Sequence, residues 1–420
     1  METELRLTKD HALTDARLTT REFDAHAPGP LSDMRVLDLS RLVAGNMLTL
    51  QLADFGADVI KVEPPDGDPL RAWRDGDREL HWKTYARNKR SIVLNLRHAA
   101  AREALLRLVG TADVLIENYR PGTLEEMGLA PDVLLAANPA VIIVRISGFG
   151  QTGPYAPLPG FGTLVEAMSG FAARTGFPDR EPVLPPFALA DMMAGLYGAF
   201  ATMTALHARA AGKSRGQVID LSLLEAIFSA LGPEAAIYQH TGHVKERTGS
   251  SSNTTSPRNI YRCRDGGYVA MSASIESMAQ RVFRAIGRPE MIEDARFNSN
   301  SARVAHRELV DEAIGAWFAT RSRDEALQTM RAANITVGPV YTIADAMADD
   351  HFRKREVIVN VADRELGGVA MHNIVPRLSQ TPGAWRRPAP LLGEHTDAVL
   401  LEAGIGRDVI ARLRKEGAAG

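Results

Sequence analysis

The sequence predicts an α/β protein: a largely parallel sheet flanked by helices, followed by a smaller α+β region. Three observations carry this. Five short runs rich in Val, Ile and Leu between Arg35 and Ile146 alternate with helical stretches, the spacing of βαβ units. A polar, low-complexity stretch from Thr248 to Pro257 then interrupts the pattern. Beyond it a hairpin signal precedes mainly helical segments.

Residues 1–32 are polar, contain His26-Ala27-Pro28-Gly29-Pro30 and lack a sustained period, so they read as an extension outside the core. The pattern sharpens with a strand at Arg35–Leu39, an apolar-rich helix from Asn46 to Phe55 stopped by Gly56, and a strand at Asp58–Glu63. It recurs as Ser91–Leu96, a helix at Ala99–Val109, Val114–Glu117, a helix near Pro131–Ala137 and Val141–Ile146. After an apolar helix over Met192–Leu206, the small basic connector Ala208–Gly216 leads into the strand Gln217–Leu221 and the helix Leu223–Leu231. Thr248–Pro257 has nothing to bury and reads as a mobile loop. Asn259–Arg262 and Tyr268–Ser272, joined through Asp265-Gly266-Gly267, form the hairpin, and helices fill roughly 275–333. The resulting division is an extension (1–32), a large domain (33–225), a small domain with linkers (226–335) and a C-terminal segment (336–420) returning to the large domain.

The 420 residues are 45% hydrophobic and 24% charged, enough for two domains with real cores. A formal charge of −2 supplies no basic field for nucleic acid or anionic lipid. Cys263 stands alone, which argues against an intrachain disulfide or cysteine-based zinc site and fits a reducing cytoplasm. The N-terminal residues are charged where a secretory signal needs an apolar core, and Met192–Leu206 is too short a run to span a bilayer. The expectation is a cytoplasmic protein with neither nucleic-acid nor membrane partner.

Asp191 is the only charged residue between Pro185 and Phe200. A carboxylate entering an apolar helix needs a reason. It falls at or near the helix N-terminus, where the dipole favours an ionised form. Asp191 is therefore either a candidate nucleophile or a helix cap.

Other constellations are weaker. Gly148-Phe149-Gly150-Gln151-Thr152-Gly153 has the spacing of a dinucleotide fingerprint after a strand, but Pro154, Pro157 and Pro159 disfavour the helix that this fingerprint must open. Glu166 sits in a helix over Thr163–Ala167 rather than closing a strand at the distance a ribose contact requires. His240 and His243 lack a visible third metal ligand, and no metal is expected. Ser169 and Ser250–Ser252 lack a nucleophile elbow. Arg87-Asn88-Lys89-Arg90 is a compact basic group that either contacts phosphate or forms a solvated strand entrance.

Several ordered segments together resemble the class III CoA-transferases, the CaiB/BaiF or formyl-CoA transferase-like family. They are Val36–Gly45, Leu52–Glu63, Arg87–Ser91, Glu117–Gly122, Ile146–Tyr155, the Asp191 segment and Pro390–Thr396. The resemblance covers about residues 34–400. It implies a Rossmann-like large domain, a small α+β domain and an interlaced homodimer.

It further implies an acyl-CoA:carboxylate CoA-transferase in which Asp191 forms a covalent anhydride and then an aspartyl-CoA thioester. The implied substrates are small organic acids, dicarboxylic acids among them, with succinyl-CoA or a similar donor. By the same resemblance CoA lies along Leu42, Val43 and Ala44, near Asn88, Lys89 and Arg90, and along Asn118, Tyr119 and Arg120. CoA is a substrate and no tightly bound cofactor is expected. The stretch Gly249–Ser256 occupies the place of a glycine-rich closing loop but has one glycine.

A racemase or isomerase on this fold needs a base where this chain has Phe161-Gly162, neither of which accepts a proton. Phe161 reads as core or acyl-pocket lining, with core favoured. Arg145, Arg174, Arg180 and Arg258 are the candidates for pairing a distal substrate carboxylate. A nicotinamide-dependent oxidoreductase and a non-catalytic CoA-binding protein are the more distant readings.

Overall fold

The computed structural model describes residues 18–420. Two compact units are present. The first comprises residues 18–171, Pro185–Gly232 and Asp349–Gly420; the second comprises Ala172–Leu184 and Pro233–Ala348.

In the first unit, six strands form one parallel sheet: β1 (Arg35–Asp38), β2 (Asp58–Glu63), β3 (Lys89–Val93), β4 (Val114–Glu117), β5 (Ile142–Ser147) and β6 (Gln217–Ser222). Their order is β3-β2-β1-β4-β5-β6. This is the order of doubly wound nucleotide-binding sheets, in which the connections reverse direction between β1 and β4. The central strands read as continuous apolar runs because both faces are covered. Leu37, Ile60, Leu115 and Ile143 enter one buried cluster, whereas Val36, Val59, Val114 and Val144 enter the other. The β3 edge is closed by the C-terminal segment: the Ser91 carbonyl accepts the His395 N–H at 2.9 Å, and the Val93 N–H reaches the Thr396 hydroxyl at 3.1 Å.

Four helices position the site: α1 (Ala44–Asp54), α2 (Gly162–Met168), α3 (Leu189–Ala210) and α4 (Leu223–Ser229). The second helix of this set belongs to no regular βαβ crossover, and it begins only after the Gly/Pro-rich run that follows β5. Helix α3 packs on α1 at unusually short range, and the sequence shows why. A Cβ at Gly195 would lie 2.8 Å from Met47 Cβ and 2.9 Å from the Ala44 carbonyl oxygen. One at Gly198 would lie 2.4 Å from Leu48 Cδ1 and 2.9 Å from Leu221 Cδ2. The missing side chains let the two backbones approach, which outweighs the helix propensity that glycine forfeits.

The second unit holds the expected hairpin, Arg258–Arg262 with Tyr268–Ser272, extended by a third antiparallel strand at Val337–Pro339. Tyr261, Val269, Phe283, Ile314 and Phe318 centre its core. The Thr248–Pro257 stretch carries specific bonds within this unit: Arg174 donates to Asn253 at 3.1 Å, and Asn300 donates to the Thr254 carbonyl at 2.9 Å.

Three expectations change. Residues 1–17 of the N-terminal extension lie outside the described residues, but the remainder belongs to the first unit. Thr20 and Arg21 pair in parallel with Asn360 and Val361, and Phe23 packs on the cluster containing Trp385. The second unit runs to Ala348 and also takes in Ala172–Leu184, because the segment before α3 joins it. Finally, α3 has 22 residues and is long and apolar enough by length and composition to cross a membrane. The argument from a short apolar run therefore fails; what holds α3 within the first unit is its packing on α1, α2, α4, β5 and β6.

The glycine-mediated approach is testable. Gly198→Ala is expected to lower unfolding free energy by about 1–3 kcal/mol through overpacking, despite alanine's better helix propensity. Urea denaturation of the two proteins measures it.

Candidate active site

Open α/β sheets bind ligands beyond the carboxyl ends of their strands at the point where strand order reverses. Here that point lies between β1 and β4, and a cleft opens there. Leu42 and Ala44 border it after β1, Asn118, Tyr119 and Arg120 after β4, and Ser147 and Gly148 after β5, with Phe161 and Asp191 completing the lining. The two loops at the switch point are locked together. Asn118 Oδ1 accepts the Arg41 N–H at 2.8 Å while its Nδ2 donates to the Arg41 carbonyl at 2.8 Å. The Arg41 guanidinium lies 5.0 Å from the Tyr119 ring centroid.

Asp191 occupies the first turn of α3 and is partly buried. The N-cap position belongs to Ala188, which provides no side-chain cap. The backbone N–H groups of Asp191 itself and of Ala44, the first residue of α1, favour its ionised carboxylate instead. Two helix N-termini thus converge on one carboxylate, which would ordinarily favour its ionised form. Burial and the nearby Glu166 carboxylate act in the opposite direction and win, pushing its pKa up to about 6.

Glu166 is buried in α2, and its Oε1 accepts the Ala190 N–H at 3.0 Å. Gly162 makes room for this arrangement, since a Cβ there would lie 2.4 Å from Asp191 Oδ2. The outcome is a carboxylate at the cleft that is ionised at neutral pH yet more basic than an ordinary aspartate, a combination suited to nucleophilic attack.

The loop that carries Leu42 and Ala44 rests on buried charge. Leu42 adopts a left-handed conformation (φ 59°) and donates its N–H to Asp68 at 2.9 Å. Asn46 bonds both the Leu42 carbonyl, at 2.6 Å, and Asp68 Oδ2, at 2.8 Å. Lys61, fully buried, bridges Asp68 at 2.9 Å and Asp38 at 3.2 Å. Lys89 adds a second cation, bonding Asn46 Oδ1 at 2.8 Å and lying 3.5 Å from Asp38. Burial holds the Lys89 pKa down to about 8, while its acidic neighbours raise that of Lys61.

The structure brings some of the expected CoA-contact residues to the cleft and places others away from it. Leu42, Ala44, Asn118, Tyr119 and Arg120 do meet Asp191 around one cleft. The side chains of Asn88, Lys89 and Arg90 are buried and engaged elsewhere. Asn88 (φ 63°) donates to Asp54 and accepts the N–H groups of Arg386 and Arg387. Arg90 pairs with Asp58 and Glu402. Val43 points into a small apolar cluster with Leu70 and Trp82. Phe161, expected in the core, is 61% exposed and borders the cleft.

Arg145 is paired with Glu117 and Glu125, so it is not available to a substrate carboxylate. Arg174 reaches Glu234 and Asn253, Arg180 lies over Phe177, and Arg258 donates to the Ser251 carbonyl, all within the second unit. The Gly148–Gly153 run opens no helix, since the next one starts at Gly162. His240 and His243 are exposed, and among the described residues no group of three or more His, Cys, Asp or Glu is placed to hold a metal.

Sequence reasoning missed Glu166 and Asp68. Glu166 had a readable signal, a lone carboxylate in the otherwise uncharged run Gly162–Met168, which is the same signal that singled out Asp191.

Comparison with known proteins places the chain in one family. The model of CoA-transferase family III matches residues 31–396. A succinyl-CoA–D-citramalate CoA-transferase of Chloroflexus aurantiacus is 41% identical over 392 residues, covering 92% of this chain and 97% of that protein. A succinate–glutarate CoA-transferase of Agrobacterium fabrum is 36% identical over 385 residues, covering 89% and 95% respectively. Among solved structures, a CaiB/BaiF family protein from Brucella suis superposes with a TM-score of 0.80 at 33% identity, over 90% of this chain and 100% of that one. The chain belongs to CoA-transferase family III. It is an enzyme of the class that exchanges CoA between carboxylic acids, with CoA thioesters as substrates.

The Asp191 environment predicts two pH effects of opposite use. An attacking carboxylate must be ionised, so kcat/KM should fall about tenfold per pH unit below about 6. Stability runs the other way. The unfolded chain releases this proton near 3.8 and the folded chain near 6, so stability declines as pH rises through that window. Asp191→Asn should therefore be inactive but more resistant to thermal unfolding than the parent above pH 6, with the difference vanishing below about pH 4.

Proposed function

We propose that the protein transfers CoA from succinyl-CoA or a similar donor to a small dicarboxylic acid, with Asp191 as covalent nucleophile. The observation that carries this reading is the Asp191 carboxylate itself, set at the switch-point cleft beside Ala44 and made more basic than an ordinary aspartate. The relatives named above support the substrate class, since D-citramalate and glutarate are both dicarboxylic acids.

In this mechanism the carboxylate attacks the thioester carbonyl, giving a mixed anhydride and CoA thiolate. The thiolate then attacks the aspartyl carbonyl, releasing the donor acid and leaving an aspartyl-CoA thioester. The acceptor carboxylate displaces the thiolate to form a second anhydride, and the thiolate's return to the acceptor's acyl carbon restores Asp191. Each step exchanges activated acyl groups, so no nucleotide triphosphate is consumed.

The cleft encloses only about 80 Å³, too little for CoA as a whole, which needs several hundred. A second cavity of about 220 Å³ shares Tyr119 with it and is bordered by Arg41, Asn95, Arg97 and Met127. We assign the thioester end of CoA to the first cavity and its phosphate-bearing end to the second, where Arg41 and Arg97 supply cations. Arg120, bonded to the Pro157 carbonyl at 2.8 Å, stands at the cleft as a further cation.

CoA is read as a passing substrate with no tightly bound cofactor. A homodimer is supported by the apolar face that α3 leaves uncovered, with Leu196, Tyr197 and Phe200 exposed by 51%, 45% and 72%. The unpaired Cys263 supports a reducing, cytoplasmic setting.

Intact-mass measurement after incubation with succinyl-CoA tests the nucleophile. An adduct that maps to Asp191, is released by hydroxylamine and is missing from Asp191→Ala is the expected result. Exchange of the acyl α-proton without any adduct would replace this reading with an isomerase.

A further inference from the structure

Glu166 lies behind the nucleophile and takes no part in the covalent steps above. Its Oε1 accepts the N–H of Ala190, the second residue of α3, at 3.0 Å. The first N–H groups of a helix lack intrahelical acceptors and are the natural donors to a carboxylate at its N-terminus. At α3, Leu189 donates to the Phe187 carbonyl and Ala190 donates to Glu166. The backbone groups that favour the ionised Asp191 are its own N–H and that of Ala44. Gly162 brings the two carboxyl groups together: a Cβ on it would lie 2.4 Å from Asp191 Oδ2 and 3.8 Å from Glu166 Oε1.

Among the described residues of the neighbouring elements, no other side chain competes for this role. On the elements packed against α2, Glu225 and His207 are exposed, Tyr197 bonds Ser229 at 2.9 Å, and Arg209 pairs with Asp113. Asp54, the one acidic side chain of α1, is held by Arg87. Glu166 itself forms no ion pair among the described residues, and only 2% of its surface is exposed. A buried carboxylate without a cation is costly unless something else requires it.

Resting on the reading of Asp191 as nucleophile, we propose that Glu166 is a positioning residue that tunes it. By accepting the Ala190 N–H and placing a second negative charge on the buried side of Asp191, Glu166 keeps the nucleophile sparsely hydrogen-bonded and electron-rich at the cleft. The raised pKa of Asp191 agrees with this geometry, the field of Glu166 being its second cause after burial. A carboxylate with fewer donors and a nearby like charge attacks a thioester faster, provided it stays ionised at working pH.

Three variants separate charge from capping. Glu166→Gln keeps an acceptor for Ala190 but removes the charge. Glu166→Asp keeps the charge but is one methylene short of the N–H, and Glu166→Ala removes both. For Glu166→Gln we expect the acidic limb of the kcat/KM profile to move down by about one pH unit and plateau kcat to fall about three- to tenfold. KM for succinyl-CoA should change less than about twofold, since the residue does not contact substrate. Glu166→Asp should keep the parent acidic limb while losing thermal stability.

An unmoved limb in Glu166→Gln, with activity lost only in step with stability, would reduce Glu166 to a helix cap and overturn the proposal. If Glu166→Gln does not fold, the limb in Glu166→Asp decides: a downward shift there, with the charge retained, overturns it equally. Trapping the Asp191 adduct in each variant separates the two levels of the argument. An adduct with an unmoved limb defeats only the role of Glu166, whereas its absence from the parent protein defeats the nucleophile reading beneath it.

Discussion

The site depends on how closely α3 can lie against α1. Asp191 is on one helix and Ala44, which borders the same cleft, begins the other, so their separation is set by the packing at Gly195 and Gly198 one and two turns along. Close-packed interiors transmit displacements of a fraction of an ångström, because side chains have no slack to absorb them. A methyl group at either glycine would act at the carboxylate without touching it. Geometry of this kind is a better fit to catalysis than a loop-borne nucleophile, which would need ordering at each turnover.

Beneath α1 lies the second constraint, the buried set Asp38, Lys61, Asp68 and Lys89 with Asn46. Apolar side chains of similar volume would often stabilise such a core as well or better. What they would not do is hold Leu42 in a left-handed conformation by an N–H bond to Asp68 and fix the first residues of α1 at the cleft. The charges therefore serve direction more than stability. The basic run entering β3 points inward for a related reason: Arg87 answers Asp54 at the end of α1, Lys89 answers Asp38 at the end of β1 and Arg90 answers Asp58 at the start of β2.

Much of the large unit could be read in the chain, because parallel strands covered on both faces leave apolar runs that do not depend on distant context. Val141–Ile146 and Val114–Glu117 are examples, and α3 with its lone carboxylate was equally legible. The contacts of Asn88, Lys89 and Arg90 were not. A polar, basic tripeptide looks the same whether it faces solvent or a buried aspartate, and Asp54, Asp58 and Asp38 are 32 to 51 residues earlier in the chain. Phe161 failed in the opposite direction, since aromatic residues line clefts as readily as cores. The unit boundaries were displaced because the segment at Ala172–Leu184 leaves the large unit and returns to it within thirteen residues.

The first unit is assembled from three separate stretches, and its last stretch does structural duty far from where it lies in the sequence. Asn88 waits for the backbone of Arg386 and Arg387, Trp82 donates its indole N–H to the Pro390 carbonyl, and β3 gains its outer neighbour only at His395 and Thr396. During synthesis, which proceeds from the N-terminus at several residues per second, the sheet emerges with an exposed edge strand and an unanswered Asn88. The second unit is made in the interval. A nascent chain must therefore keep an open, hydrogen-bond-hungry edge from pairing with a stranger for the time taken to add some three hundred residues, an interval in which ribosome-associated chaperones have most to protect.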